Sequence, residues 1–475
     1  MSNDERPMTN DEGRQAISSF VLRPSSFIAL VILAFLILGA LYAIKTPAWQ
    51  VPDEPAHYNY VRFIAEGRGL PVLRPGDYDP AYLERIKAVK FPPSMPIGSI
   101  RYESWQPPLY YILAAPIYLA TNGSLLALRL FSVALGGFVV LLAFLIVRQL
   151  APHSPALALG AAAFVAFVPQ HVAMMAGAQN DSLAELILAA IVQVTSRRSQ
   201  VANGEWIKIG VLLGLGLWTK GTVYIAAPLV LAALWLAYRS PPAPRKWSWG
   251  IKRGFLVFVP ALVIAVPLWI RNIIVYGWPD FLGAIRHDAV VLGQPTPAEW
   301  IAKFGLGEYL RQYVVTTFHS FWGQFGWMGV PMNSRYYAVL AVASLAAFVG
   351  FVWWLAGRAS QVAHLQSAPQ PPTSGLRPPT SNLQPPTRDF WLLTCWILFT
   401  VMIYIGYNSK YVQFQGRYLF PALIPIGLAF TMGLRQWTIL LPRAWRDAAL
   451  AVPFVGLAAL DVIALFRMIV PMLSP

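Results

Sequence analysis

The chain has 475 residues, 57% of them hydrophobic and only 12% charged, with a formal net charge of +15 and one cysteine. So apolar a composition excludes a soluble multi-domain protein. Cys395 lies inside an apolar run and excludes a disulfide framework or a thiolate metal site; the lysines and arginines are scattered between apolar runs and exclude a nucleic-acid stripe, leaving anionic lipid head groups as their partners.

Taken in chain order, the apolar runs are continuous over roughly 15 to 25 residues and do not alternate over about ten, which predicts an all-α polytopic membrane protein and not a β-barrel. Residues 1–26 read as a polar cytoplasmic tail. The run 27–44 exceeds the apolar core of a cleaved signal peptide and reads as a retained first span. A large loop, 45–124, opens on TPAWQVPDEPAHYNY at 46–60. There Asp53 and Glu54 stand between Pro52 and Pro55, close to the end of the span, at a depth where ionised side chains are tolerated. Later in the loop, 106–121 is apolar but short and broken by Pro116. It reads as a helix lying in the outer interface with its tyrosines at head-group depth.

About eleven spans then follow: 27–44, 125–148, 155–176, 182–195, 206–219, 221–239, 254–270, 336–357, 390–407, 416–434 and 447–468. In this arrangement the short loops on the opposite side from Asp53 collect nearly all the basic residues, Arg148, Arg239 and Arg435 among them. The outer short loops hold only Lys220 and Lys410. Letting 106–121 cross inverts the balance, against the positive-inside rule. A second large outer loop, 271–335, carries HSFWGQFGW at 319–327; its Trp322 and Trp327 read as interface anchors. Residues 358–389, with Pro-Pro-Thr at 371, 378 and 385, read as a flexible cytoplasmic linker. That leaves 27–357 as the main transmembrane module and 390–475 as C-terminal helices.

Five polar features fall on the outer side: Asp53-Glu54 with His57, Gln106, Asn180-Asp181, Lys220, and Gln415-Gly416-Arg417-Tyr418. Each has a bland counterpart, a helix cap for Asp53 and Asp181, snorkelling for Lys220 and Arg417. Glu185, one turn deeper than Asp181, favours a helix face that lines a site or meets a partner. Taken together, outer cations suit a lipid-linked phosphate and an outer carboxylate suits removal of a hydroxyl proton.

The order of these motifs resembles the GT-C glycosyltransferases, the superfamily of protein O-mannosyltransferases, lipid A aminoarabinose transferases and oligosaccharyltransferase catalytic subunits. The resemblance rests on Pro52-Asp53-Glu54 with Tyr58 and Tyr60, Pro-Pro-Leu-Tyr-Tyr at 107–111, Leu-Arg-Leu-Phe-Ser at 128–132, Asp181, Thr219-Lys220 and Arg-Tyr-Leu-Phe-Pro at 417–421. It implies inverting sugar transfer from a polyprenyl-phosphate sugar to a lipid, glycan or protein acceptor on the outer face of the cell membrane. Asp53 would be the general base or acceptor-positioning acid, with Glu54 its catalytic neighbour. His57, Gln106, Tyr111, Asp181, Lys220, Arg417 and Tyr418 would bind substrate, Arg417 and Lys220 through its phosphate. Some relatives hold a divalent cation, Mg or Mn, between the acids, and Asp53 and Asp181 are the residues that would hold it here. Two departures stand out: Gln106 replaces the His or Lys that many members carry, and Ala178-Gln179-Asn180 lacks the basic residue that precedes the second aspartate in several. A transporter or flippase of a lipid-linked or anionic solute, and a non-catalytic envelope scaffold, are the rival readings.

Overall fold

The structure, a computed structural model, describes residues 24–196, 203–239, 246–367 and 387–474. Helix α1, Pro24–Lys45, is an uninterrupted run of aliphatic helix formers that stops two residues before Pro47. Three short helices of the first loop follow: α2, Glu54–Ala65; α3, Pro80–Ala88; and α4, Leu109–Ala120. Helix α5, Leu125–Leu150, starts at an N-cap, Ser124, whose hydroxyl accepts from the Ala127 N–H. Helices α6, Pro155–Phe167, and α7, Pro169–Met175, are bent by 64° at the break before Pro169. Beyond them lie α8, Asp181–Thr195; α9, Asn203–Leu217; α10, Ala226–Arg239; and the thirty-residue α11, Trp247–Tyr276.

The second large loop contributes α12, Ala284–Val290; α13, Pro297–Phe304; α14, Leu306–Trp322; and a two-stranded hairpin pairing Gln324–Phe325 with Val330–Pro331. Helices α15, Ser334–Ser367; α16, Thr387–Asn408; α17, Leu423–Thr438; and α18, Arg446–Ala464, complete the bundle. Small residues allow the closest crossings. A Cβ on Gly433 would stand 1.8 Å from the Ala347 carbonyl oxygen, and one on Gly210 2.3 Å from that of Val257. Backbones therefore meet at α15–α17 and α9–α11, the small-residue contact by which helices associate in lipid.

Among the described residues eight helices are long and apolar enough to cross a membrane, or nine with the bent α6–α7 pair; the all-α polytopic reading holds, and its count of about eleven is not confirmed. The shortfall is α8 and α9, fifteen residues each, about 22 Å of helix against a hydrocarbon core of about 30 Å. Tyr110 and Tyr111 are fully buried inside the protein and do not face lipid head groups, because their hydroxyls find Ser132 and His57. Trp322 is likewise a core residue, and Trp327 donates its indole N–H to the Trp49 carbonyl at 3.0 Å. Finally, α15 continues to Ser367, so helix extends into the expected linker; residues 368–386, like most of the expected N-terminal tail, lie outside the described residues.

Candidate active site

The site forms where α2, α8 and the 3₁₀ turns Gly221–Ile225 and Gly416–Ala422 begin, at one end of the bundle. Pro52 and Pro55 bracket a tight reversal in which Asp53 adopts φ 67°, ψ −7°. The left-handed region is unfavourable for a residue with a Cβ, and aspartate is among the few that tolerate it. Tyr102 donates to Asp53 Oδ1 at 2.8 Å and Arg417 Nη2 to Oδ2 at 2.8 Å. Beside this pair, Lys220 Nζ lies 2.6 Å from Asp181 Oδ1. The Asp53 and Asp181 side chains remain 24% and 26% exposed, so both acids reach solvent from a mostly enclosed setting. Acids and cations separated by up to 364 positions thus converge at one end of the molecule.

Glu54 stands apart from its neighbour. It is completely buried, and Arg129 grips it with two hydrogen bonds of 2.7 Å, Nε to Oε1 and Nη2 to Oε2. The remaining guanidinium N–H groups go to the carbonyls of Ala43, Thr46 and Pro47, the otherwise unpaired C-terminal end of α1. Glu54 also accepts from the Trp49 and Ala178 N–H groups. With this many donors around it and no exposure, Glu54 cannot touch substrate. Its expected catalytic role is therefore corrected to a positioning one, which ties the Asp53 turn to the turn carrying Asp181.

His57 Nδ1 and the Tyr111 hydroxyl are 2.8 Å apart, and Tyr111 stacks on Tyr60 at 3.7 Å, so both predicted ligands sit behind the acids. Burial, and next the charge of Lys220, push His57 down to about 4, leaving it neutral at physiological pH. Asp53 moves below the usual carboxylate range: burial would raise it, but Arg417 and the hydrogen bonds from Arg417 and Tyr102 more than reverse this. Gln106 accepts a long contact of 3.5 Å from the Asn180 amide, and Tyr418 lies alongside Arg417 with its ring centroid 5.4 Å from the guanidinium carbon. Glu185 is paired with buried His171 at 3.1 Å, a partner and not a substrate cleft.

Sequence reasoning gave no role to Arg129, although it lies in the Leu-Arg-Leu-Phe-Ser motif at 128–132, and missed Tyr102 and Glu103. An arginine near the start of an apolar span was a usable signal, since such a charge must find a buried partner. Glu103 lies in the loop before Gln106, and one of its oxygens, Oε2, is sealed from solvent with no hydrogen-bond partner. Burial and then the charge of Asp53 raise it to about 7. The residues present do not fit the divalent cation considered above. Asp53 and Asp181 are each already neutralised by a cation, and among the described residues no group of three His, Cys, Asp or Glu side chains could hold a metal ion.

Residues 105–270 match the family described as dolichyl-phosphate-mannose-protein mannosyltransferase. That segment contains Gln106, Tyr111, Asp181 and Lys220. The whole chain superposes on ArnT from Cupriavidus metallidurans in the apo state with a TM-score of 0.51, at 13% identity, covering 98% of this chain and 74% of that one. The family match covers part of the chain, and the superposition shows that the chain has the fold of ArnT. Two further structures similar to this chain are ArnT from the same organism bound to undecaprenyl phosphate (TM-score 0.48, 14% identity, 94% and 73% covered) and the Archaeoglobus fulgidus oligosaccharyltransferase tethered with an acceptor peptide (0.47, 13%, 93% and 54%). No curated protein matches the sequence.

Proposed function

We infer that this chain is a glycosyltransferase of the GT-C type, which transfers a sugar from a polyprenyl-phosphate donor to an acceptor hydroxyl on the extracytoplasmic face by one inverting displacement. The observation that carries the reading is the state of Arg417. Its Nη2 is on Asp53, while its Nε is buried without a partner. A buried donor left unpaired is costly, and a phosphate oxygen is the acceptor that suits a guanidinium. A phosphate at Nε would share one guanidinium with Asp53, holding the donor within reach of the base, with Lys220 the second cation.

In the proposed step the acceptor oxygen attacks the anomeric carbon as its proton passes to the Asp53 carboxylate. The bond from that carbon to the phosphate oxygen breaks, and the electron pair leaves with the polyprenyl phosphate, whose added negative charge is met by Arg417 and Lys220. No general acid is required, because the leaving group is already a stable anion. Two carboxylates are hydrogen-bonded to cations before substrate arrives, and Asp53 still keeps lone pairs for an incoming hydroxyl, since a carboxylate has about four acceptor positions. The test is to give the purified full chain a radiolabelled polyprenyl-phosphate sugar and follow transfer or hydrolysis. Release of label by the wild type and none by Asp53→Asn supports the reading; no release by either, with the protein folded and the lipid bound, overturns it.

A further inference from the structure

The unpartnered atoms of the site are of two kinds. Arg417 Nε is a donor in need of an acceptor. Asn180 Oδ1, and Glu103 Oε2 when its carboxyl is ionised, are acceptors in need of a donor, and both are closed to solvent without a hydrogen-bond partner. A phosphodiester oxygen can answer the first but not the other two, because it brings no hydrogen. A hydroxyl can.

These two acceptors are fixed relative to one another and to the cations. Asn180 is completely buried, and its amide nitrogen donates to the Thr219 carbonyl at 3.2 Å and toward Gln106 Oε1 at 3.5 Å, which sets the amide with its oxygen free. The Gln106 backbone N–H in turn donates to the Glu103 carbonyl at 3.0 Å. Asn180 directly precedes Asp181, and Thr219 directly precedes Lys220, so this polar tier borders the Asp181–Lys220 pair on both chains of contact. Glu103 also feels the charges of Asp53, Lys220 and Arg417.

We propose that Glu103 and Asn180 are the sugar-recognition residues of the site, accepting hydrogen bonds from hydroxyls of the donor's sugar while Arg417 and Lys220 hold the phosphate joined to it. The assignment rests on the donor reading above and goes beyond it, since it names which residues tell a glycosylated lipid from a bare one. The sugar is covalently attached to the phosphate, so a hydroxyl-binding tier bordering the phosphate-binding cations faces the donor sugar before any acceptor arrives.

The full chain in lipid nanodiscs is offered undecaprenyl phosphate, and the same lipid carrying mannose, glucose or galactose, and the affinities are compared. The wild type is expected to bind one glycosylated lipid at least about tenfold more tightly than the bare lipid. Glu103→Leu should lose about ten- to hundredfold of that preference, the range expected for a hydrogen bond to a charged group, with Glu103→Gln in between. Retained binding of bare undecaprenyl phosphate in both variants shows that the fold and the phosphate site survive. A wild type that binds the bare lipid with no preference for any sugar, or a Glu103→Leu protein whose preference is unchanged, overturns the proposal alone. A wild type that binds none of these lipids overturns the donor reading, and the proposal with it.

Discussion

At the scale of single residues, three titratable groups within one site, two carboxyls and an imidazole, are driven to different protonation states by their surroundings. Asp53, lowered by Arg417, stays ionised, and His57, pushed down to about 4, stays neutral. Glu103 is the exception: raised to about 7 by burial and by Asp53, with Lys220, Arg417 and Gln106 acting the other way, it passes from neutral acid to carboxylate around neutrality. If its carboxylate holds the sugar, kcat/KM for the donor should rise with pH through an inflection near 7, and Glu103→Gln, which cannot ionise, should flatten that limb. A wild-type profile without the inflection removes Glu103 from the titration. Asp53→Asn should lower turnover by about a hundredfold or more, the usual range for a general base, with membrane insertion unchanged on purification. Arg417→Ala should instead weaken donor binding, measured with undecaprenyl phosphate, and unchanged affinity would mean that the guanidinium serves only Asp53. The candidates Asp53, Asp181, Lys220 and Arg417 were legible because charges beside apolar runs are expensive and therefore conspicuous. Glu103 was not, since nothing in a loop sequence reveals that burial has left one carboxylate oxygen without a partner.

At the scale of elements, the site depends on turns fixed by groups that never face substrate. Glu54 and Arg129 join the end of α1, the start of α2 and the turn before α8 in one buried pair. Removing one partner of such a pair costs about 3–5 kcal/mol because the other charge is left uncompensated. Arg129→Met should therefore lower the melting temperature sharply, and Glu54→Leu added to it should recover part of the loss; full activity and stability in Arg129→Met would deny the pair its role. Gly416 opens the turn carrying Arg417 against α14, where an added Cβ would meet the Phe321 nitrogen and Thr317 oxygen at 2.4 Å. These are backbone atoms that cannot rotate away. Gly416→Ala is expected to displace Arg417 and lower donor affinity more than it lowers stability, as read by binding alongside thermal unfolding. Helix existence was legible from apolar runs, whereas the burial of Tyr110, Tyr111 and Trp322 was not. An aromatic residue near a span end is equally compatible with a head group and with a neighbouring helix, and only the partners Ser132 and His57 decide it.

At the scale of the whole molecule, convergence of the site and sidedness in the membrane are separate questions. Convergence is settled by contacts such as Arg417–Asp53, whereas the orientation argument comes from the distribution of basic residues. The fifteen-residue α8 and α9 make this more than a formality. Each is too short to span a bilayer core of about 30 Å as a straight helix, and a pair of them can be added to or removed from the count of crossings without changing the side on which later loops emerge. Charge counting gives the same orientation with or without α8 and α9 because they come as a pair, while a crossing by α4 alone would reverse it. The arrangement is open to direct measurement in a Cys395→Ser background, which removes the sole native thiol. Ser94 lies in the first large loop and His153 in the connection between α5 and α6, and both are exposed. With intact cells, a membrane-impermeant maleimide should label Ser94→Cys, and should label His153→Cys only after the membrane is permeabilised. The reverse pattern would turn the site toward the cytoplasm, where a donor presented in the outer leaflet could not reach Arg417, and the extracytoplasmic reaction would have to be abandoned even with every contact in the site intact.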